Sequence, residues 1–184
     1  MDTRRALLQN ARKAFAERGY AATSLEGLAR TLGLTKAAVY HHFASKRELL
    51  EALLEEGAQQ TQKVLAIPGS LPQRLMALAL AYRGQVEPLS ALMTAQSGRR
   101  GGDREAARLA QQAMRRGLEQ IAQVLEEVAP GRGRVLAVVF ASIVHGAYMT
   151  ALHMPGYSLD ELLQEGVELF VRGLPGQKNK PEAG

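Results

Sequence analysis

The stretch TSLEGLARTLGLTKAAVYHHF, which begins at Thr23, constrains the fold more than any other part of the sequence. Thr23 and Glu26 have the spacing of a capping box, which predicts the start of a short helix. Gly33 predicts its end, because a residue without a Cβ readily adopts the left-handed conformation that closes a helix. Thr35 is a suitable N-cap for a second helix, and Phe43 would pack that helix against the first. The stretch therefore predicts two short helices joined by a tight turn.

Two helices joined in this way can form a helix-turn-helix, whose second helix lies in the major groove of DNA and reads bases with its N-terminal residues. Ala37 and Ala38 are small enough to let the backbone approach the groove floor, and Lys36 can reach a phosphate or a base edge. A corner between helices in an unrelated all-helical protein is the alternative, which the turn alone does not exclude. The predicted DNA-binding residues are Thr23, Ser24, Thr35, Lys36, Ala37, Ala38, Tyr40, His41 and Lys46.

The sequence on both sides of this motif extends the pattern. The run AFAERGYAATSLEGLARTLGLTKAAVYHHFASKRELL, residues 14–50, resembles the DNA-binding domain of TetR-type transcriptional regulators. The matching residues are Phe15, Gly19, Tyr20, Thr23, Ser24, Tyr40, His42, Phe43, Ser45, Lys46 and Leu49. The resemblance covers residues 1–60, and it implies a regulator that responds to a small molecule bound by a second domain. Within the matched run, we expect Ser24 and Lys46 to anchor DNA phosphates.

Positive charge is concentrated in the same part of the chain. The formal net charge is +5. Residues 1–50 hold nine Lys and Arg against four Asp and Glu, whereas residues 51–184 hold fourteen of each. The whole excess therefore lies on the helix-turn-helix portion, as expected for a surface that binds polyphosphate. The predicted partner is palindromic double-stranded DNA.

The remaining sequence predicts an all-α fold of about nine helices. A first helix over residues 3–18 should pack against the helix-turn-helix as the third helix of the DNA-binding domain. Ser45 and Glu48 form a second capping box that opens a long helix over residues 46–65, and Pro68 ends the helical pattern. We divide the chain into a DNA-binding domain, a connecting helix, a helical effector-binding and dimerisation domain, and a disordered tail. These cover residues 1–45, 46–66, 67–175 and 176–184, respectively.

Two breaks are expected inside the second domain. Pro88 fits the first turn of a separate short helix that ends near Gln96, because the N–H that proline lacks has no partner at that position. Ser97 to Asp103, SGRRGGD, is expected to be a loop, and Asp103 is a suitable N-cap for a helix over residues 104–128.

The helix predicted over residues 133–154 is apolar or small at almost every position, so it must be covered on more than one side. We expect it to pack with the last helix, residues 159–174, against the same two helices of a second copy, as a four-helix bundle. The predicted homodimer interface consists of Val135, Val139, Ser142, Gly146, Leu163, Val167 and Phe170. A monomer that buries both faces internally is the alternative.

Methionine and aromatic residues are gathered in the second domain, where every methionine after the first lies within residues 76–154. Methionine adapts to irregular cavities, and ligand pockets are mostly apolar. We therefore predict a pocket for a small apolar effector, acyl or aromatic. Its predicted lining is Tyr82, Met93, Met114, Phe140, His145, Tyr148 and Met149. For each of these residues, an ordinary place in the core is the alternative.

Arg108 and Arg115 share one flank of their predicted helix, and Glu119 is placed to pair with Arg115. A solvated surface is the simpler interpretation of this flank. Because arginine often binds anions through two hydrogen bonds, a contact with the phosphate of an acyl-thioester effector stays open.

The sequence predicts no catalytic site, no metal site and no cofactor. Adjacent helical residues point about 100° apart, so His41 and His42 cannot bind one metal ion together. Ser142 and His145 lie one turn apart, but no nucleophile elbow or oxyanion-type glycine loop accompanies them. An enzyme is therefore not expected.

The sequence as a whole predicts a sequence-specific transcriptional regulator, a repressor that an apolar effector releases from its operator. An architectural DNA-binding protein without an effector is the alternative. The N-terminus lacks the apolar segment of a signal peptide, and Ser142, His145 and Gly146 interrupt the most apolar stretch of the chain. We expect a cytoplasmic protein without a membrane segment.

Overall fold

Eight α-helices make up the part of the chain that the computed structural model describes, which is residues 2–94 and 101–175, with the backbone alone for residues 83–94 and 101–103. The helices are α1 (Thr3–Arg18), α2 (Leu25–Thr31), α3 (Lys36–His42), α4 (Lys46–Leu65), α5 (Leu71–Thr94), α6 (Gly101–Val128), α7 (Gly133–His153) and α8 (Leu159–Arg172). No strand occurs in these ranges. The predicted all-α fold is confirmed.

Helices α2 and α3 form the predicted helix-turn-helix. Gly33 lies between them with a φ of +65°. Its N–H donates to the carbonyl of Arg30 at 3.2 Å, and the N–H of Leu34 donates to the carbonyl of Ala29 at 2.9 Å. These two bonds satisfy carbonyls that the end of α2 would otherwise leave unpaired. A side chain at position 33 would be strained, because the left-handed conformation brings a Cβ too close to the following carbonyl oxygen.

The residue that caps α2 is Ser24 rather than Thr23. Ser24 Oγ accepts a hydrogen bond from the N–H of Gly27 at 3.1 Å. Thr23 is buried, and its hydroxyl donates to the carbonyl of Gly19 at 2.9 Å. The predicted capping box of Thr23 and Glu26 is therefore wrong by one residue, because Thr23 instead satisfies a carbonyl at the end of α1. The Glu26 side chain is left to make other contacts.

The other two predicted caps are present. Thr35 Oγ1 accepts from the N–H of Ala38 at 3.2 Å, and Ser45 Oγ accepts from the N–H of Glu48 at 3.1 Å. The Glu48 carboxylate accepts in return from the N–H of Ala44 at 2.7 Å, one residue before the predicted position. The starts of α3 and α4 are thus fixed by side chains of the local sequence.

One predicted break is absent from the described backbone, and another is shorter than predicted at its C-terminal end. Helix α5 continues through Pro88, so the separate helix expected there is not formed, and the described residues contain eight helices instead of about nine. Proline withholds one N–H, and a helix that keeps its other hydrogen bonds can continue past it. Helix α6 begins at Gly101, which places Asp103 inside the helix rather than at its N-cap, because glycine permits a loop without requiring one. Residues 95–100 of the predicted loop, and the tail 176–184, lie outside the described residues.

The chain divides into two compact units. The first comprises residues 1–59 and 87–114, and the second comprises residues 60–86 and 115–184. Helices α4, α5 and α6 each contribute to both. These limits differ from the predicted boundaries at residues 45 and 66, because the first part of α6 packs into the core of the first unit. The functional division of the chain at those two boundaries stays a prediction.

The core of the first unit holds the helix-turn-helix in place. Phe15 of α1 and Phe43 after α3 are almost completely buried in it, and Ala106 and Ala110 of α6 belong to the same cluster. Truncating a buried phenylalanine to alanine costs about 3–5 kcal/mol. The outward side of α3 is therefore positioned by packing that lies behind it.

The core of the second unit is formed by α5, α6, α7 and α8. Leu75, Leu125 and Leu163 are fully buried in it, and the rings of Phe140 and Phe170 lie 5.4 Å apart. Helix α7 is long and apolar enough for a membrane span by length and composition. One side of α7 belongs to this core, so we interpret it as a core helix.

Helices α6 and α7 approach each other closely at Gly133. The N–H of Gly133 donates to the Glu126 carboxylate at 2.8 Å, and the N–H of Gly131 donates to the same carboxylate. These backbone hydrogen bonds, that from Gly131 first, hold the pKa of Glu126 below its usual value. A Cβ at position 133 would lie 2.4 Å from the carbonyl oxygen of Ala122. Glycine is therefore required there by space rather than by φ.

Candidate functional site

The outward side of α3 presents Lys36, Ala37, Tyr40 and His41 to solvent, and we call these four residues the reading face. Val39 points the opposite way and is completely buried. Ala38, which the sequence also predicts to bind DNA, is half-buried. The structure thus brings together the cationic and small side chains that the sequence singled out on this helix.

A carboxylate from the neighbouring helix lies on the reading face. Lys36 Nζ is 3.1 Å from Glu26 Oε1, and the hydroxyl of Tyr40 donates to the same oxygen at 2.9 Å. Lys36 Nζ also lies 5.3 Å from the centre of the Tyr40 ring. Sequence reasoning missed this role of Glu26, because it assigned the carboxylate to a helix cap.

The electrostatics of this cluster follow from its hydrogen bonds. The pKa of Glu26 is lowered, first by a hydrogen bond with its own backbone N–H, then by those from Lys36 and Tyr40. The pKa values of Lys36 and Tyr40 are raised, each mainly by its hydrogen bond with Glu26. Around pH 7, the cluster therefore contains one carboxylate, one ammonium group and one neutral phenol.

The side-chain oxygens of three predicted DNA-contacting residues form hydrogen bonds within the protomer. Ser24 and Thr35 are exposed and use their side-chain oxygens to cap α2 and α3. Thr23 is buried, so its side chain is not available on the surface. The prediction that Thr23 contacts DNA through its side chain is therefore wrong.

The Lys46 side chain makes contacts within the protein that the sequence did not predict. Its ammonium group donates to the carbonyl oxygens of Tyr20 at 2.6 Å and Thr23 at 2.8 Å, with a longer contact of 3.4 Å to that of Ala21. It also lies 4.3 Å from the centre of the Tyr20 ring. The predicted phosphate anchor is thus engaged by the loop between α1 and α2. A long lysine can reach either a phosphate or a carbonyl, which sequence alone does not distinguish.

We expect Lys46→Met to lower the free energy of unfolding by about 2 kcal/mol, because hydrogen bonds from a charged donor contribute about 1.5–3 kcal/mol. Urea unfolding measures this change. Lys13→Met is the matched control, since Lys13 makes only an exposed pair with Glu17 at 3.8 Å, and such pairs contribute little. Unchanged stability together with an equal loss of affinity for all DNA sequences would restore Lys46 as a phosphate anchor.

The predicted dimer interface separates into two groups. Val135, Val139, Ser142 and Gly146 are exposed along α7, and Val138 lies beside them. We call these five residues the α7 strip. The exposed fractions of its valines are 63% for Val135, 51% for Val138 and 43% for Val139. Apart from the neighbouring backbone of α7 itself, no atom of the described residues lies within 4 Å of a Cβ built on Gly146. The strip is therefore an apolar surface that the described part of the chain leaves uncovered.

The second group lies inside the protomer. Leu163, Val167 and Phe170 of α8 are buried in the core of the second unit, so their prediction as interface residues is wrong. Periodicity correctly placed them on one face, but it did not tell which face meets solvent. The exposed apolar residue on this helix is Leu169, with an exposed fraction of 63%.

The predicted effector residues that the structure describes lie in different surroundings. Phe140 and Tyr148 are buried in the core of the second unit, Tyr82 packs against that core, and His145 and Met149 are half-buried on the same helix as the first two. The rings of Tyr82 and Tyr148 lie 5.9 Å apart, edge to face. Met114 is exposed and belongs to the first unit. The side chain of Met93 lies outside the described residues.

A groove of 320 Å³ opens on the second unit between α5 and α8. Pro72, Met76, Val167 and Val171 form its apolar surface, and it contains none of the predicted effector residues. Arg172 and Glu168 form an ion pair beside it.

The residues weighed for other chemistry have ordinary contacts. The Ser142 hydroxyl donates to the carbonyl of Val138 at 2.8 Å, within its own helix. Arg108 and Arg115 are exposed, and Glu119 pairs with Arg134 at 3.0 Å instead of with Arg115 as predicted. The described residues contain no group of three or more side chains placed to hold a metal ion.

Comparison with known sequences agrees with this geometry. Residues 7–53 match the family described as bacterial regulatory proteins, tetR family. The chain is 38% identical to the HTH-type transcriptional repressor AcnR of Corynebacterium diphtheriae over 66 residues. These residues make up 36% of this chain and 35% of that protein. Over 54 residues it is 43% identical to the HTH-type transcriptional regulator TtgR of Pseudomonas putida, covering 29% and 26% of the two chains. The match thus spans about a third of these relatives or less.

The likeness to solved structures extends over nearly the whole chain. A transcriptional regulator from Aquifex aeolicus VF5 superposes with a TM-score of 0.72 at 19% identity, covering 91% of this chain and 98% of that one. A putative transcriptional regulator from Saccharomonospora viridis, solved with choline, has a TM-score of 0.67 at 20% identity, covering 94% and 97%. At this identity the likeness establishes the fold alone. Residues 7–53, which contain the helix-turn-helix, are therefore similar to the tetR family of bacterial regulatory proteins, and the chain shares the fold of these solved structures.

Proposed function

We propose that the protein binds a specific duplex DNA site and represses transcription by occupying it. The observation that carries this proposal is the reading face, which a buried core holds outward on the second helix of a helix-turn-helix. The excess positive charge of the chain lies within the first 50 residues and supplies attraction to phosphate. The matched relatives are named as HTH-type repressors and regulators, which supports the same function.

Within this proposal, Tyr40, His41 and the small Ala37 approach base edges, and Lys36 approaches phosphate or a base edge. Changes at Lys36, Ala37 or Ala38 should then alter which sequence is preferred. An architectural protein without sequence preference is the alternative.

The test is a mobility-shift titration with genomic fragments, followed by footprinting of the tightest fragment. We expect an inverted repeat to be bound in preference to random duplex, with an affinity that falls steeply as salt rises. Binding without preference for any inverted repeat would favour the architectural alternative. Absence of binding to every duplex at low salt would contradict both.

We further propose that the protein acts as a homodimer joined through the α7 strip. A two-fold dimer places two reading helices on the two halves of a palindrome, about 34 Å apart along the DNA. The strip supports this arrangement, because contiguous apolar surface on a soluble protein often marks an interface. Gly146 and Ser142 have small side chains at the centre of the strip, so the backbones of two helices could approach closely there.

A small apolar effector is proposed to release the protein from DNA. The support is the apolar core around Tyr82, Phe140 and Tyr148, which also carries the half-buried His145. Two proteins of similar fold are named as regulators of fatty acid metabolism or degradation, from Clostridium perfringens and Bacillus halodurans. Release requires that the effector bind the DNA-incompetent state more tightly than the competent one.

The effector is tested as a second arm of the same mobility-shift assay. Acyl-thioester, fatty acid and aromatic compounds are added to the preformed complex, and we expect one class to release the DNA and raise the melting temperature. Release by polar compounds alone would contradict an apolar effector. A cytoplasmic location belongs to the same proposal, since a repressor must reach the chromosome.

A further inference from the structure

Glu26 places a negative charge beside the reading face, where the proposed function would bring the negatively charged DNA. Its carboxylate reaches across from α2 to the reading face, 3.1 Å from Lys36 Nζ and 2.9 Å from the hydroxyl of Tyr40. Both partners are residues that the proposed function places near DNA. Glu26 Oε1 therefore engages two hydrogen-bond donors that could otherwise donate to a DNA phosphate.

This carboxylate is ionised under ordinary conditions. The hydrogen bond with its own backbone N–H and those from Lys36 and Tyr40 lower its pKa, so the charge is retained well below neutral pH. The exposed fraction is 69% for the Lys36 side chain and 45% for that of Glu26, so water and DNA can both reach the pair. The pair has no net charge.

We propose that Glu26 is an internal competitor for DNA phosphate, which limits the affinity of the reading face for any duplex. This inference rests on the proposed DNA-binding function. Lys36 reaches a phosphate only by leaving Glu26, whose charge then lies beside the DNA without its cationic partner. A carboxylate in that position retains a counterion that DNA would otherwise release. The pair therefore contributes no net counterion release, whereas a free Lys36 would contribute one.

The consequence is a limit on sequence-independent binding. Affinity for duplex falls with salt by about 0.9 logarithmic units per tenfold salt for each phosphate neutralised. Removing the Glu26 charge should add one such contact in each protomer. The gain should be shared by operator and random duplex, because phosphate contacts carry no sequence information.

The experiment compares the wild-type protein with Glu26→Gln on one operator fragment and one random duplex of equal length, over a series of salt concentrations. We expect Glu26→Gln to bind both duplexes about fivefold more tightly at low salt for each reading face that contacts DNA, with a salt slope steeper by about 0.9 per protomer, or about 1.8 for a dimer. Glu26→Ala is a second variant with the same expected result, in case glutamine retains the contact with Tyr40. Melting temperatures verify that each variant is folded.

Glu17→Gln is the matched control. It removes the same charge from the first unit, where Glu17 makes an exposed pair with Lys13 at 3.8 Å on α1. We expect it to change the salt slope far less than Glu26→Gln does.

The outcomes separate this inference from the function on which it rests. If the wild type binds its operator and Glu26→Gln weakens that binding or leaves the slope unchanged, the inference is wrong and the function stands. Weaker operator binding would make Glu26 a positioning residue for Lys36 and Tyr40. If Glu17→Gln steepens the slope equally, net charge rather than competition is the cause. If no duplex is bound by any of these proteins at low salt, the function itself is contradicted.

Discussion

Gly133→Ala should destabilise the protein by about 3 kcal/mol, at the upper end of the cost of overpacking a core. The new Cβ would lie 2.4 Å from the carbonyl oxygen of Ala122 and 2.9 Å from the backbone nitrogen of Glu126. Both are backbone atoms of α6, so neither can move aside without shifting that helix. The shift would also disturb the hydrogen bond from the Gly133 N–H to the Glu126 carboxylate.

Thermal and urea unfolding measure the effect. For a chain of this length, 3 kcal/mol corresponds to a fall in Tm of about 6–12 °C. Gly117→Ala in α6 is the control, because no atom lies within 4 Å of its Cβ position. That change should stabilise the helix by up to about 1 kcal/mol. If Gly133→Ala unfolds at the wild-type urea concentration, the close approach of α6 and α7 is not as described.

Gly146→Arg should convert the proposed homodimer into monomers while leaving each protomer folded. The Cβ position of Gly146 has no neighbour within 4 Å, so the protomer has room for the new side chain. In the proposed dimer, two arginines would face each other across the two-fold axis. An unpaired buried charge costs about 3–5 kcal/mol. We therefore expect the dimer Kd to rise by more than about 100-fold, since each 1.4 kcal/mol is a factor of ten.

Sedimentation equilibrium and operator titration are the measurements. The variant should be monomeric at micromolar concentration and should bind the operator more weakly, because each protomer then contacts one half-site alone. Gly117→Arg is the control, since Gly117 has equal space but lies on α6. A wild-type protein that is monomeric at micromolar concentration would exclude the proposed dimer. A Gly146→Arg variant that stays dimeric would place the interface away from the α7 strip.

Sequence was sufficient to predict the helices whose ends are marked by short-range signals. Gly33 and Thr35 mark the turn of the helix-turn-helix, and Ser45 marks the start of α4, because each acts through atoms within a few residues. The all-α fold and the outward position of Lys36 and Tyr40 followed from the same signals. Pro88 and Asp103 were misleading, since each permits a helix boundary without requiring one.

The rest depended on contacts between distant residues. The apolar periodicity of α8 placed Leu163, Val167 and Phe170 on one face, but only the folded chain shows that this face is buried. Thr23 and Ser24 are adjacent hydroxyl residues, and sequence could not tell which one caps α2. The approach of Glu26 to Tyr40 joins residues fourteen apart in the chain, and no local pattern predicts it.

The Lys46 contacts have a consequence for mutational tolerance. Its ammonium group binds the main-chain oxygens of residues 20, 21 and 23, which every amino acid provides. The exposed positions of that loop, such as Ala22, can therefore vary without loss of the contact, whereas Lys46 itself cannot. A mutational scan should therefore find that an exposed loop position such as Ala22 tolerates substitution, whereas Lys46 does not. Such asymmetry would allow the surface of the loop to diverge among related proteins while its conformation is kept.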